Sequence, residues 1–372
     1  MVFVLSSHER SVFRFIRARG NAEALLIVLV GRLPDLGLKG GRELLIWGSS
    51  VVNGLGMKLL RPPRLRGGDC LGVVAPSDSL SSYEEIYRRG VGNLRSLGFV
   101  VREGKTVGLQ HGSMAGTDVQ RAEEVNNMFG DMEIKGIVCA RGGSAAIRTL
   151  RHLDYDLIRR NPKVFCGMSD ITTFHVAFLA KTGLVGLHQT NVMTGFGFGA
   201  DMKSREARYE ADLFVRALTD AKPLGLLLPF TRWEVWRDGA ASGRLFGGNL
   251  PCVESLLGTP YFPELREDVI LFWEAGTKPS SRVLIHLREA GLLDRVKGML
   301  IGKIRNQEGN ATKDVTSEVK DMVLEVTEEF GFPIIAGMDF GHYTPNLPLP
   351  LGLKATMNTE GARVSIDESY VQ

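Results

Sequence analysis

The sequence predicts an α/β fold: a parallel sheet flanked by helices, followed by a β-rich C-terminal domain. Three observations carry this. Apolar runs of strand length alternate with helical periodicity from Asp69 to Gly183. Beyond Gly243 the apolar runs lie close together, with turns and two helices between them. A chain of 372 residues, 44% hydrophobic and 23% charged, is long and apolar enough for two domains with cores of their own.

The elements follow in order. "CLGVVAPSD" is a strand closed by Pro76 and polar turn residues, and "SYEEIYRRGVGNLRSLG" is a helix ending at Gly98. "FVVREG" is a second strand. Thr117 or Asp118 caps the helix in "GTDVQRAEEVNNMFGD". "IKGIVCA" is a buried strand, and "CARGGSAAIRTLRHLDY" turns from it into a helix. "KVFCGMSD" is another strand, closed by Ser169 and Asp170 where the helix "ITTFHVAFLAKTG" begins. Ligands in such sheets bind beyond the carboxyl ends of the strands. The boundaries expected are an extension over 1–56, an α/β domain over 57–195, a linker over 196–242 and the β-rich domain over 243–372. "RLFGGNL", "DVILFWEAG", "VKGMLIGKI", "PIIAGMDFGH" and "GLKATMNTEGARVSID" are the strands of that last domain.

Composition excludes several classes. A net charge of +3 without basic–aromatic clusters argues against a nucleic-acid binder. Cys70, Cys139, Cys166 and Cys252 form no C-x-x-C pair, so neither a zinc site nor a disulfide framework is expected, and reduced thiols fit a cytoplasmic protein. The apolar run Ala24–Gly31 is too short to span a bilayer, and no small-residue cleavage site follows it cleanly. No cofactor, metal or membrane partner is expected.

The turn at "ARGGSAAIR" has the shape of a nucleophile elbow, in which a strand runs through glycines into a helix whose first amides can hold an oxyanion. Ser144 and Ala146 compete for the apex; a turn in which Gly142 and Gly143 serve packing alone is the plainer alternative. A nucleophilic serine needs a base and an orienting group. Of seven histidines, His342 follows a strand and precedes a Pro-rich loop, which suits a base. His188 also follows a strand and could line a cleft, whereas His175 reads as a core histidine. Glu274 ends the apolar strand "DVILFWEAG" and is the candidate carboxylate.

Eight stretches together resemble the L,D-carboxypeptidase family of serine peptidases, in order and at sensible spacing from Lys58 to the end: "GDCLGVVAPSD", the stretch from Gly116 to Gly143, "NPKVFCGMSDITTFH", "GRLFGGNL", "LGTPYFPEL", "ILFWEAG", "GMLIGKI" and "FGHYTPNLPLPLG". The resemblance implies a flavodoxin-like parallel sheet, a triad in the order Ser, Glu, His, and a homodimer. It places Glu274 and His342 in the triad. Laying the pattern R-G-G-x-G-S-x-R on Arg141–Arg148 puts the serine position at Ala146 and leaves Ser144 two residues early. That register implies an inactivated form or a natural pseudoenzyme that binds without cleaving, with Ser144 as a substitute nucleophile in a third reading. Ile147 and Gly116 are the expected oxyanion donors. Two substrates fit the family: a murein tetrapeptide losing its terminal D-alanine, and the amide of a peptide–nucleotide antibiotic. Trp233 or Trp236 would stack on a nucleobase in the second case or pack the domain junction, and Arg148 is assigned with them to substrate binding.

Overall fold

The computed structural model describes the backbones of Val12–Arg17 and Leu25–Val30, and residues 58–198, 202–308 and 311–372. The chain divides into two units, Met1–Asn53 and Gly54–Gln372. In the first, β1 (Val12–Arg17) pairs antiparallel with β2 (Leu25–Val30). The rest of the expected extension lies outside the described residues.

The second unit holds two large sheets. The first contains β3 (Cys70–Val74), β4 (Val100–Glu103), β5 (Ile134–Cys139), β6 (Val164–Gly167) and β7 (Leu187–His188). Their spatial order is β7-β6-β5-β3-β4, all parallel. This is the flavodoxin-like order, and its switch point lies where β3 sits between β4 and β5. β6 is buried at every position, as strands covered on both faces must be. The helices are α1 (Glu84–Ser96), α2 (Asp118–Gly130), α3 (Ala146–Thr149), α4 (Tyr155–Arg160) and α5 (Thr172–Thr182). Thr117 caps α2: its hydroxyl accepts from Gln120 N at 3.2 Å, and the Gln120 side chain accepts from Thr117 N at 2.9 Å.

The described residues of the segment expected as a linker hold regular elements. They carry α6 (Arg205–Thr219), β8 (Gly225–Leu226) and β9 (Glu234–Arg237). β8 and β9 form the two edges of the second sheet, in the order β8-β18-β17-β10-β11-β12-β15-β9. Its other strands are β10 (Ala240–Asn249), β11 (Val269–Glu274), β12 (Val296–Lys303), β15 (Ile334–Gly341), β17 (Lys354–Asn358) and β18 (Arg363–Ile366). β13 (Arg305–Glu308) and β14 (Ala311–Asp314) pair as a separate ribbon. Three helices, not two, interrupt these strands: α7 (Leu250–Leu256), α8 (Ser281–Glu289) and α9 (Lys320–Val326). β16 (Leu349–Pro350) returns to pair with β7, so the C-terminal part of the chain closes the edge of the first sheet.

The fold's working joint is α5. Its residues are buried nearly all round, including Phe174, Phe178 and His175. One face packs on the first sheet; at its start, Thr172 Oγ1 accepts from Asn249 N at 2.8 Å, at the end of β10 in the second sheet. The helix therefore brings the carboxyl end of β6 against the carboxyl ends of β10 and β11. Among the described residues no helix is long and apolar enough to cross a membrane, and all four cysteines are free.

Asp339, fully buried in β15, anchors the segment before β9. It accepts from Phe230 N, Thr231 N, the Thr231 hydroxyl, Trp233 Nε1 at 2.8 Å and Lys303 Nζ at 3.1 Å. Asp339→Ala leaves the buried Trp233 Nε1 and the half-buried Phe230, Thr231 and Lys303 donors without their acceptor. A loss of about 3–5 kcal/mol in unfolding free energy, measured by urea denaturation, is the expected outcome.

Candidate active site

Ser169 is the second residue after β6 and stands at φ 61°, in the left-handed region that a serine enters only at a cost of roughly 1–3 kcal/mol. Its Oγ lies 3.0 Å from His342 Nε2. His342 Nδ1 lies 2.6 Å from Glu274 Oε2. Asn249 Nδ2 donates to the other oxygen, Glu274 Oε1, at 3.0 Å, because β10 and β11 pair Asn249 with Glu274 in register. The serine comes from the first sheet; the histidine and the carboxylate come from the second. Gly341, just before His342, stands at φ 118°, and a Cβ there would sit 2.7 Å from Lys303 O and 3.1 Å from Glu274 Cβ. Only glycine lets the chain pass that close and turn the imidazole onto the carboxylate.

The titration of this pair follows from its surroundings. Burial alone would push His342 down, but the Glu274 charge and hydrogen bond outweigh it and hold the imidazole above its ordinary 6.5. Burial works against the Glu274 anion, and His342, with help from His188 and Asn249, keeps the carboxyl below its ordinary value. Ionised Glu274 accepts from Nδ1–H, which leaves the Nε2 lone pair facing the Ser169 hydroxyl. A hydroxyl, a base and an orienting carboxylate in this order can carry nucleophilic acyl transfer.

The turn read from sequence as the nucleophile elbow has a different place. Ala146 is fully buried in the core, with its amide donating to Asp170 Oδ2 at 2.8 Å. Ser144 is exposed, and its amide donates to Asp78 Oδ1. The hydroxyl that meets His342 belongs to Ser169 and not to position 144 or 146. Gly142 is needed for packing: a Cβ there would lie 2.9 Å from Ser169 Cβ and 3.1 Å from its Oγ. The "RGG" turn thus borders Ser169 without placing a hydroxyl at His342. Asp170 ties the loops together, accepting from Ser77 Oγ at 2.5 Å as well as from Ala146 N.

Other expected residues are also placed elsewhere. The Gly116 amide donates to Met114 O at 3.0 Å, so it is not available to an oxyanion. Ile147 lies in the first turn of α3, one residue past the amide that Asp170 takes, with its side chain exposed. The amide near Ser169 Oγ is that of Asp170, since both border the space a Gly142 Cβ would occupy. Trp233 and Trp236 are 5% and 7% exposed, with Nε1 donating to Asp339 and to Glu234 at 2.9 Å, so neither presents a face for stacking. Arg148 is exposed and pairs with Asp118 at 3.0 Å. His188 is fully buried and lines no cleft. Sequence reasoning took Ser169 for a helix-start residue. The signal was present as Gly167-Met168-Ser169 between a parallel strand and a helix, the first half of G-x-S-x-G, with Ile171 where the last glycine would stand. A groove of about 520 Å³ lined by Leu257, Phe262, His286 and Arg295 shares no residue with this site.

With this geometry in view, similarity to known proteins is informative. Residues 71–189 match the LD-carboxypeptidase N-terminal domain, and residues 242–357 match the LD-carboxypeptidase C-terminal domain. The chain belongs to the LD-carboxypeptidase family. It is 32% identical over 308 residues to a probable murein peptide carboxypeptidase of Bacillus subtilis, covering 80% of this chain and 92% of that one. It is 29% identical over 343 residues to the microcin C7 self-immunity protein MccF of Escherichia coli, covering 84% and 97%. Among solved structures, MccF in complex with aspartyl sulfamoyl adenosine superposes with a TM-score of 0.75 at 26% identity, covering 84% of this chain and all of that one. An MccF-like protein from Bacillus anthracis gives 0.71 at 31% identity, covering 82% and 99%.

The loop bearing His342 is held from behind. Asn346 Oδ1 accepts from Gly341 N at 2.8 Å, and its Nδ2 donates to Tyr343 O at 2.7 Å. Asn346 N in turn donates to Glu210 Oε2 of α6 at 3.1 Å. Burial pushes the Glu210 carboxyl up to about 7. Its folded value lies above its unfolded 4.5, so the folded state holds an extra proton between the two, and stability is lost as pH rises through that window. Glu210→Gln removes the dependence. Urea denaturation should show the variant gaining about 3 kcal/mol relative to the parent between pH 4 and pH 8.

Proposed function

We propose that this chain is a serine hydrolase that cleaves an amide in a small peptide or peptidyl conjugate, with Ser169 as nucleophile, His342 as general base and acid, and Glu274 as the group that orients the imidazole. The Ser169–His342–Glu274 chain of hydrogen bonds carries the reading. Ser169 Oγ attacks the carbonyl carbon as His342 Nε2 takes its proton. The imidazolium, stabilised by Glu274, returns that proton to the leaving amine, and water then resolves the acyl-enzyme by the same path reversed. The Asp170 amide, next after the nucleophile, is the oxyanion donor this arrangement favours. The readings of an inactivated form and of a sequestering pseudoenzyme drew on alanine at position 146. With a serine at the histidine, that ground is gone.

The family offers two substrates, a murein tetrapeptide and a peptide–nucleotide amide. One observation favours the second. Arg141, next to Gly142 at the site, holds its guanidinium 4.9 Å over the Tyr83 ring. Tyr83 meets Phe198 edge-on at 6.5 Å, and these two aromatics are 37% and 51% exposed. An exposed aromatic pair with a cation beside it can stack a flat base, a role the buried tryptophans cannot take.

Hydrolysis of L,D-tetrapeptide and of an aspartyl sulfamoyl nucleoside, followed by chromatography, tests both levels. Ser169→Ala should lower kcat/KM by about 10⁴- to 10⁶-fold, and full activity in that variant refutes the assignment. Ala146→Ser should bring no gain, because its side chain enters the core. The base works only when neutral, and its value is raised, so kcat/KM should fall as pH drops through a midpoint above 6.5.

A further inference from the structure

His188, the last residue of β7, is not used by the mechanism above. Its ring is fully buried, and among the described residues no other residue hydrogen-bonds to either ring nitrogen. Phe272 lies edge-on to it at 5.4 Å and Phe340 at 6.5 Å, with His175 at 6.5 Å on the α5 side. The titratable groups that face it are therefore His175, Glu274 and, beyond Glu274, His342. Its Nε2 stands 3.9 Å from Glu274 Oε1, the oxygen that does not hold His342.

Two physical facts constrain this imidazole. Burial drives it down to about 4, so it is neutral throughout the working range. A neutral imidazole still carries one N–H, on one nitrogen or the other. With the proton on Nδ1, a lone pair would point at a carboxylate across 3.9 Å; with the proton on Nε2, an N–H dipole points at it. The carboxylate selects the second tautomer.

We propose that His188 is a positioning residue for the hydrolytic site: a neutral imidazole whose Nε2–H faces Glu274 Oε1 and, together with Asn249, keeps Oε2 turned toward His342. It rests on the hydrolase reading. The dipole also withdraws part of the carboxylate's charge from His342. Without it Glu274 becomes a stronger partner for the imidazolium, His342 titrates higher, and the acid limb of activity moves to higher pH.

The test uses the full chain. His188→Phe keeps a ring among Phe272 and Phe340 but has no N–H, whereas His188→Gln keeps a side-chain N–H. His188→Phe should lower kcat about tenfold with KM within about twofold, and move the acid limb up by about half a pH unit. His188→Gln should recover the parent limb. Parent kinetics and an unshifted limb in His188→Phe overturn the proposal, as does equal impairment of both variants. Nitrogen-15 NMR of the unmodified protein provides a second check independent of folding of the variants. A neutral His188 protonated on Nε2 at pH 7 supports the proposal, and an Nδ1 tautomer or an imidazolium overturns it. If Ser169→Ala keeps full activity, the hydrolase reading fails instead, and the NMR result still reports on His188 itself.

Discussion

The buried carboxylate of Glu274 sets the terms for the whole site. An ionised carboxylate taken fully out of water loses solvation worth several kcal/mol, and that loss must be offset by groups fixed around it. Its hydrogen bonds come from an imidazole and an amide, His342 and Asn249. Each depends on a different strand: Asn249 on the parallel pairing of β10 with β11, and His342 on the close turn at Gly341 past the end of β15. A charge held this way is sensitive to small displacements, which explains why the loop behind His342 is tied twice, by Asn346 to its own backbone and by Glu210 to α6.

Ser169, the proposed nucleophile, meets this array from the opposite sheet. Ser169 holds a backbone conformation unfavourable for its type, and such strain persists only where the surroundings over-determine it. They do so here from three sides. Asn191 fixes the residue before it by accepting from the Met168 amide, α5 fixes the residues after it through Thr172 and Asn249, and Asp170 fastens the neighbouring loops after β3 and β5. The α5 joint therefore has to pack well for reasons of chemistry as much as of stability, since any slip between the sheets lengthens the Ser169–His342 contact directly.

Much of the fold was legible in the sequence because each signal was local. The strands at Cys70, Ile134 and Val164, the cap at Thr117 and the helix end at Gly183 follow from patterns a few residues long. The two edge strands in the stretch between the sheets were not foreseen because β8 and β9 have only two and four residues, and edge pairing is decided by partners about a hundred positions away or more. Trp233 and Trp236 lay in that stretch. Nothing near them in the sequence foretells that Asp339 and the β9 edge bury both rings.

Of the proposed site, the sequence singled out the Glu274–His342 pair and passed over Ser169, and the reason is physical. Glu274 and His342 were singled out as polar residues at the ends of apolar strands, and the fold places those ends together. The nucleophile was sought by aligning glycines, on the premise that Gly142 and Gly143 serve the residue at their own turn. They serve neighbouring turns, Gly142 the one at Ser169 and Gly143 the one at Asp78. Gly142 is small because Ser169 stands against it, and α3 begins where it does because a carboxylate from another loop receives its first amide. Two strand-to-helix turns side by side at the carboxyl edge of one parallel sheet look alike in sequence. What separates them is which one faces the second sheet, and there the first residue of α5, Thr172, meets Asn249 at the end of β10.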